Sequence, residues 1–149
     1  MDFLDKVKMQ REEDNKLKWE GTFADYLKLL KEKPWIAQSA HSRIYNMIES
    51  AGVTVKNDRK HYHFFDREIF GLEDAIERLV DEYFHPAAKR LDVKKRILLL
   101  MGPVSGGKST IVTLLKRGLE AFTRTEKGAV YAIKDCPMNE DPCIPLGNR

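Results

Sequence analysis

Gly102-Pro103-Val104-Ser105-Gly106-Gly107-Lys108-Ser109 follows the pattern G-x-x-x-x-G-K-[ST], and that spacing dictates a local architecture. A loop that cradles a phosphate must turn its backbone N–H groups inward and let the ligand come close. Gly102, Gly106 and Gly107 supply the conformational freedom and the absence of Cβ that this needs. Lys108 then carries an ammonium to the β- and γ-phosphates of a nucleotide, and the Ser109 hydroxyl is the expected Mg²⁺ ligand. Ser105 and Thr110 complete the candidate phosphate-binding set. The flanks agree with the loop: 96–101 reads as a buried strand, and 109–122 as an amphipathic helix whose N-terminal dipole favours an anion. With Gly near 7% of residues, the pattern arises by accident in roughly 0.5% of chains this long.

Composition narrows the remaining classes. At 149 residues the chain fits one domain, or a small domain with an extension. A net charge of +3 is too balanced to argue for nucleic acid. The basic run Lys89, Arg90, Lys94, Lys95, Arg96 is broken by Leu91, Asp92 and Val93 and lacks interleaved aromatics, so a helix end followed by a loop accounts for it. No apolar run approaches the length of a membrane span, and residues 1–6 show no leader pattern, so the expectation is a cytoplasmic protein without a membrane partner. Cys136 and Cys143 do not make a disulfide framework. Joined with His61 and His63 they suggest zinc, but C-x6-C and H-x-H fit no common ligand spacing. Two free thiols and two histidines on a hairpin face are the simpler reading.

Periodicity orders the rest. Residues 1–20 alternate in charge and read as a loosely docked helix. Thr22-Phe23-Ala24-Asp25 resembles a capping box opening a helix with Phe23, Tyr26, Leu27 and Leu30 on its apolar stripe, ending before Pro34. A second helix covers 37–50, with Ala40, Ile44, Met47, Ile48 and Ala51 inward and Gly52 as its stop. Residues 53–55 and 62–65 flank a turn at 56–59 and predict a hairpin. From Gly71, the positions Leu72, Ala75, Ile76, Leu79, Val80 and Tyr83 define one helical face. Pro86 either kinks that helix or restarts it. Trp19, Phe23, Tyr26 and Trp35 read as packing residues, and 129–133 predicts a second strand.

Several stretches carry a resemblance. Residues 64–73, the run 83–91 leading into Leu98-Leu99-Leu100-Met101-Gly102, and the segments 18–23 and 37–43 are similar to the bacterial PrkA-type serine protein kinases, from about residue 17 to 141. The resemblance implies a cytoplasmic, AAA+-type ATP-binding module that works with ATP and Mg²⁺ and phosphorylates protein serine, in a protein several times longer, with a homo-oligomer as the assembly to test for. It places Gly102, Gly107, Lys108 and Ser109 in the family's phosphate and metal roles, and Phe70 and Gly71 beside the adenine. The fold class expected is α/β: the N-terminal part of a P-loop NTPase domain, mostly helical, with an incomplete parallel sheet. Residues 1–60 form a helical extension with the start of the hairpin, and 61–149 a partial nucleotide-binding domain.

The chain departs from the family pattern by lacking an apolar strand ending in Asp-Glu, a sensor residue and an arginine finger. It therefore reads as a truncated N-terminal fragment. The strands expected between 96–101 and 129–133 are absent, so apolar surface should stay uncovered. No H-R-D, D-F-G or G-x-G-x-x-G set is present, which excludes the eukaryotic kinase mechanism within these residues. Three functions stay open: a serine protein kinase, an AAA+ ATPase driving remodelling or proteolysis, and nucleotide binding without turnover. A phosphate loop holds the nucleotide but does not choose the acceptor.

Overall fold

The computed structural model describes residues 18–56, 58–89, 97–103 and 106–142. The chain divides into two compact units, one formed by Met1–Ala37 with Phe122–Arg149 and the other by Gln38–Ala121.

In the first unit, helix α1 spans Phe23–Glu32. The capping box is formed: Asp25 N–H donates to Thr22 Oγ1 at 3.3 Å, and Thr22 N–H donates to Asp25 Oδ2 at 3.2 Å. These reciprocal bonds satisfy amides that have no partner within the helix. Pro34 ends the helix as predicted and opens a single 3₁₀ turn, Pro34–Ala37. The apolar stripe is only partly used. Tyr26 is buried, whereas Phe23 and Leu27 are exposed, as are Trp19 and Trp35. Tyr26 and Trp19 instead gather around Tyr131, the Trp19–Tyr131 rings meeting edge-on at 5.5 Å. The strand predicted at 129–133 is not formed. Ile133 N–H donates to the Glu140 carbonyl across a loop of turns, at 2.9 Å, and no strand pairs with the segment.

The second unit holds α2 (Ala40–Ser50), a hairpin of β1 (Val53–Lys56) and β2 (Arg59–Tyr62), α3 (Glu73–Arg78), a wide π turn (Leu79–Phe84), α4 (His85–Ala88) and α5 (Lys108–Thr123). Ser39 caps α2, accepting from Ser42 N–H at 3.1 Å. The antiparallel register pairs Val53 with Tyr62 and Thr54 with His61. The second strand thus lies earlier than the predicted 62–65, because Arg59 already pairs with Lys56, with Asp58 before it in the left-handed region at φ 64°. His63–Phe65 is a 3₁₀ turn instead.

Pro86 stands in the first turn of α4, as the restart reading expected. Proline has no N–H to offer the carbonyl four residues back, and its ring crowds that carbonyl. The preceding turn widens to relieve this, His85 N–H reaching Val80 O five residues back. Side chains of this helix, of α2 and of the residues after β2 meet in a core around Ile48, Phe65 and Val80, all fully buried. Each such side chain contributes on the order of 1.5–3 kcal/mol. The inward set of α2 is Met47 and Ile48 with Tyr45, while Ala40 and Ala51 face solvent. Gly118 explains how α5 joins this core. A Cβ there would lie 2.5 Å from the Phe64 ring and 2.9 Å from Met47 Sδ, so only glycine lets the helix approach so closely.

The parallel sheet expected around the phosphate loop is not formed among the described residues, whose one ladder is the β1–β2 hairpin. Residues 97–101 carry no strand pairing, yet their side chains alternate as a strand's would. Ile97, Leu99 and Met101 are 87, 73 and 84% exposed, while Leu98 and Leu100 turn toward α5. Strand sequence needs a neighbouring backbone to become a strand, and none of the described residues supplies one.

Candidate functional site

The loop that opened the sequence reading leads into α5, whose sixteen residues begin at Lys108. Its first amides lack intrahelical acceptors, so the backbone N–H groups of the first turn and the aligned dipoles face the loop. Gly107 stands at φ 72°, a conformation that costs any L-side chain. Its geometry sends the chain from loop to helix, and Ile111 N–H closes the first turn on Gly107 O at 2.9 Å.

Lys108 bends back over the loop. Its Nζ donates to the Gly102 carbonyl at 2.9 Å and to the Pro103 carbonyl. Gly106 N–H also donates to Pro103 O, at 3.2 Å. The structure thus ties Lys108 and Gly106 to the carbonyls of Gly102 and Pro103, with Gly107 between Gly106 and Lys108 in the chain. Ser109 lies beside Lys108 on the wall of an open groove of about 460 Å³, with Leu98, Leu100, Val112 and Thr113. Thr110 follows within the first turn of α5. Ser105 lies outside the described residues.

Of the segment holding Phe70 and Gly71, it is the next residue, Leu72, that reaches the loop. Leu72 Cδ1 comes within 3.1 Å of the position a Cβ would take on Gly107, so the Leu72 side chain lies against the start of α5. Phe70 is 79% exposed, leaving a ring face open to a planar ligand. Sequence reasoning missed two parts of this arrangement. The Pro103 carbonyl, which any residue would offer, leaves no signature in residue type. Leu72 was legible as the first position of an apolar stripe, but its packing partner was not.

Nothing in the residue set opposes a phosphate and a hard cation here. The loop and the first turn of α5 bring one ammonium and the hydroxyl-bearing Ser109 and Thr110, and none of these residues is a carboxylate.

Comparison with known proteins agrees with the resemblance. The family described as PrkA AAA domain matches residues 21–148. The chain is 70% identical over 142 residues to "ATP-dependent protease PrkA" of Bacillus subtilis, covering 95% of this chain and 22% of that protein. It is 69% identical over 97 residues to "Uncharacterized protein in gldA 5'region" of Geobacillus stearothermophilus, covering 65% of this chain and all of that one. "Serine/threonine kinase YeaG" of Escherichia coli K12 is 53% identical over 49 residues, 33% of this chain and 8% of that protein. The chain therefore spans about a fifth of the length of the Bacillus relative. No solved structure matched. Among the described residues no helix is long and apolar enough to cross a membrane. With a family match over most of its length and the phosphate-loop sequence inside that match, this chain belongs to the PrkA AAA-domain family.

Proposed function

We propose that this chain is the ATP-binding part of a PrkA-type serine protein kinase. The observation that carries the reading is the Gly102–Lys108 closure at the start of α5, a cationic side chain held over a glycine loop at a helix N-terminus. In this reading Gly102, Ser105, Gly106 and Gly107 surround the phosphates, and Lys108 neutralises charge on the β- and γ-groups. Ser109, followed by Thr110, holds Mg²⁺, which when bound would offset charge on the phosphate oxygens. Phe70 and Gly71 lie against the base. The acceptor is a serine hydroxyl on a protein substrate, the surroundings are cytoplasmic, and the whole protein acts as a homo-oligomer. The kinase name of the Escherichia coli relative supports the choice of acceptor.

A second reading rests on the name of the Bacillus relative, "ATP-dependent protease PrkA". There water takes the γ-phosphate and the energy drives proteolysis. The loop is used identically in both.

Calorimetric titration of Mg-ATP into the chain tests the shared part: Lys108→Ala abolishes binding. Unchanged affinity in that variant refutes the site. Transfer of γ-labelled phosphate to protein serine by the full-length protein, lost in Lys108→Ala, supports the kinase. Free phosphate with ATP-dependent peptide release supports the protease.

A further inference from the structure

Away from the phosphate loop, two histidines and a carboxylate converge at the end of the hairpin. His61 lies on β2, and His63 follows two residues later, so their side chains leave the backbone on the same face. The 3₁₀ turn His63–Phe65 then folds the chain back, Asp66 N–H donating to His63 O at 3.2 Å. That turn sets Asp66 between the two rings. Its Oδ1 is 2.8 Å from His61 Nε2 and its Oδ2 is 2.7 Å from His63 Nδ1.

We propose that His61, His63 and Asp66 form a binding site for a divalent metal ion of the zinc class, with one coordination position left open. Three arguments support it. One ligand atom from each residue lies within 4.8 Å of the others. A tetrahedral ion with bonds of about 2.1 Å needs its ligand atoms about 3.4 Å apart, so only small side-chain rotations separate this arrangement from a coordinating one. All three side chains are half-exposed and can make that adjustment. The second argument is orientation. Thr54 Oγ1 lies 2.6 Å from His63 Nε2, the ring nitrogen facing away from Asp66. A partner on the far nitrogen is what fixes the ring and tautomer of a metal-binding histidine. The third is access: Thr54, His61 and His63 line an open groove of about 350 Å³, through which an ion and a further ligand can enter. Two imidazoles with one carboxylate favour zinc or cobalt over Mg²⁺, which takes oxygen ligands. The ion would tie the hairpin to the turn that leads toward Phe70.

Calorimetric titration of zinc chloride into the 149-residue chain, in a Cys136→Ser/Cys143→Ser background that removes both thiols, tests the site. The expected result is one ion per chain. His63→Gln and Asp66→Asn each weaken binding at least about tenfold, and Thr54→Val weakens it about tenfold by releasing the ring it orients. In the unsubstituted chain, nitrogen NMR of the imidazoles shows zinc at His61 Nε2 and His63 Nδ1, a readout that needs no variant to fold. Absence of saturable binding, binding that survives both ligand substitutions, or zinc-shifted signals at His41 and His85 in place of His61 and His63 overturns the proposal.

Discussion

Replacing Gly107 with alanine tests whether the loop geometry seen here is the geometry that holds nucleotide. Gly107 sits at φ 72°, where an alanine costs roughly 1–2 kcal/mol. The new Cβ would also stand 3.1 Å from Leu72 Cδ1. Leu72 is only partly buried and can rotate, so this contact adds about 0.5 kcal/mol, the strain of a modest departure from a rotamer well. The total, about 1.5–2.5 kcal/mol, falls on the cradle conformation, whereas an empty loop can relax away from it. At 1.4 kcal/mol per decade, the affinity for Mg-ATP drops roughly ten- to seventyfold. Titration calorimetry measures the change, with far-UV circular dichroism confirming that α5 is retained. Adding Leu72→Ala removes the steric part and returns about twofold in affinity, leaving the backbone part in place. An affinity within a factor of two of the parent, with α5 intact, would falsify the claim that this left-handed turn forms the cradle.

The remaining predictions concern stability. Tyr62 is buried and donates its hydroxyl to Asp81 at 2.7 Å. Tyr62→Phe removes a bond to a charged acceptor that keeps Lys60 as a partner, and costs about 1.5 kcal/mol in urea unfolding. Burial first, then the bond to Asp81, raises the Tyr62 hydroxyl above its usual value of 10.0. Tyr45 is raised likewise, by burial and by its bond to Glu49. A raised pKa means that the native state favours the protonated phenol, so this stabilisation is complete below pH 10 and is lost as pH rises toward the native values. Unfolding midpoints measured across the alkaline range should fall, and fall less steeply in Tyr62→Phe; identical slopes would remove Tyr62 from the account. Ser39→Ala deletes the cap of α2 and lowers stability by about 1 kcal/mol. A Ser39→Ala variant as stable as the parent would mean that this bond does not form in solution.

The sequence alone determined the features that depend on neighbours close along the chain. The Thr22–Asp25 capping box, the stop at Pro34, a hairpin after α2 and the start of a helix near residue 73 follow from local bonding rules, and the structure contains them. The phosphate loop was legible for the same reason, since its glycines, lysine and serine lie within one short segment. Features that need a distant partner were decided by tertiary structure. Residues 97–101 and 129–133 have strand composition, but a ladder requires a second backbone, and none of the described residues supplies it. The widened turn at Leu79–Phe84 is the helix's own answer to Pro86, and no pattern of apolar residues announces it. The need for glycine at position 118 likewise comes from distant residues, Phe64 and Met47, that pack against it. The histidines give the clearest case. Spacing set His61 and His63 aside because H-x-H with two distant cysteines matches no common site. The 3₁₀ turn after β2 then placed Asp66 between them. Ligand chemistry depends on which atoms converge in space, and a turn three residues long was enough to change that.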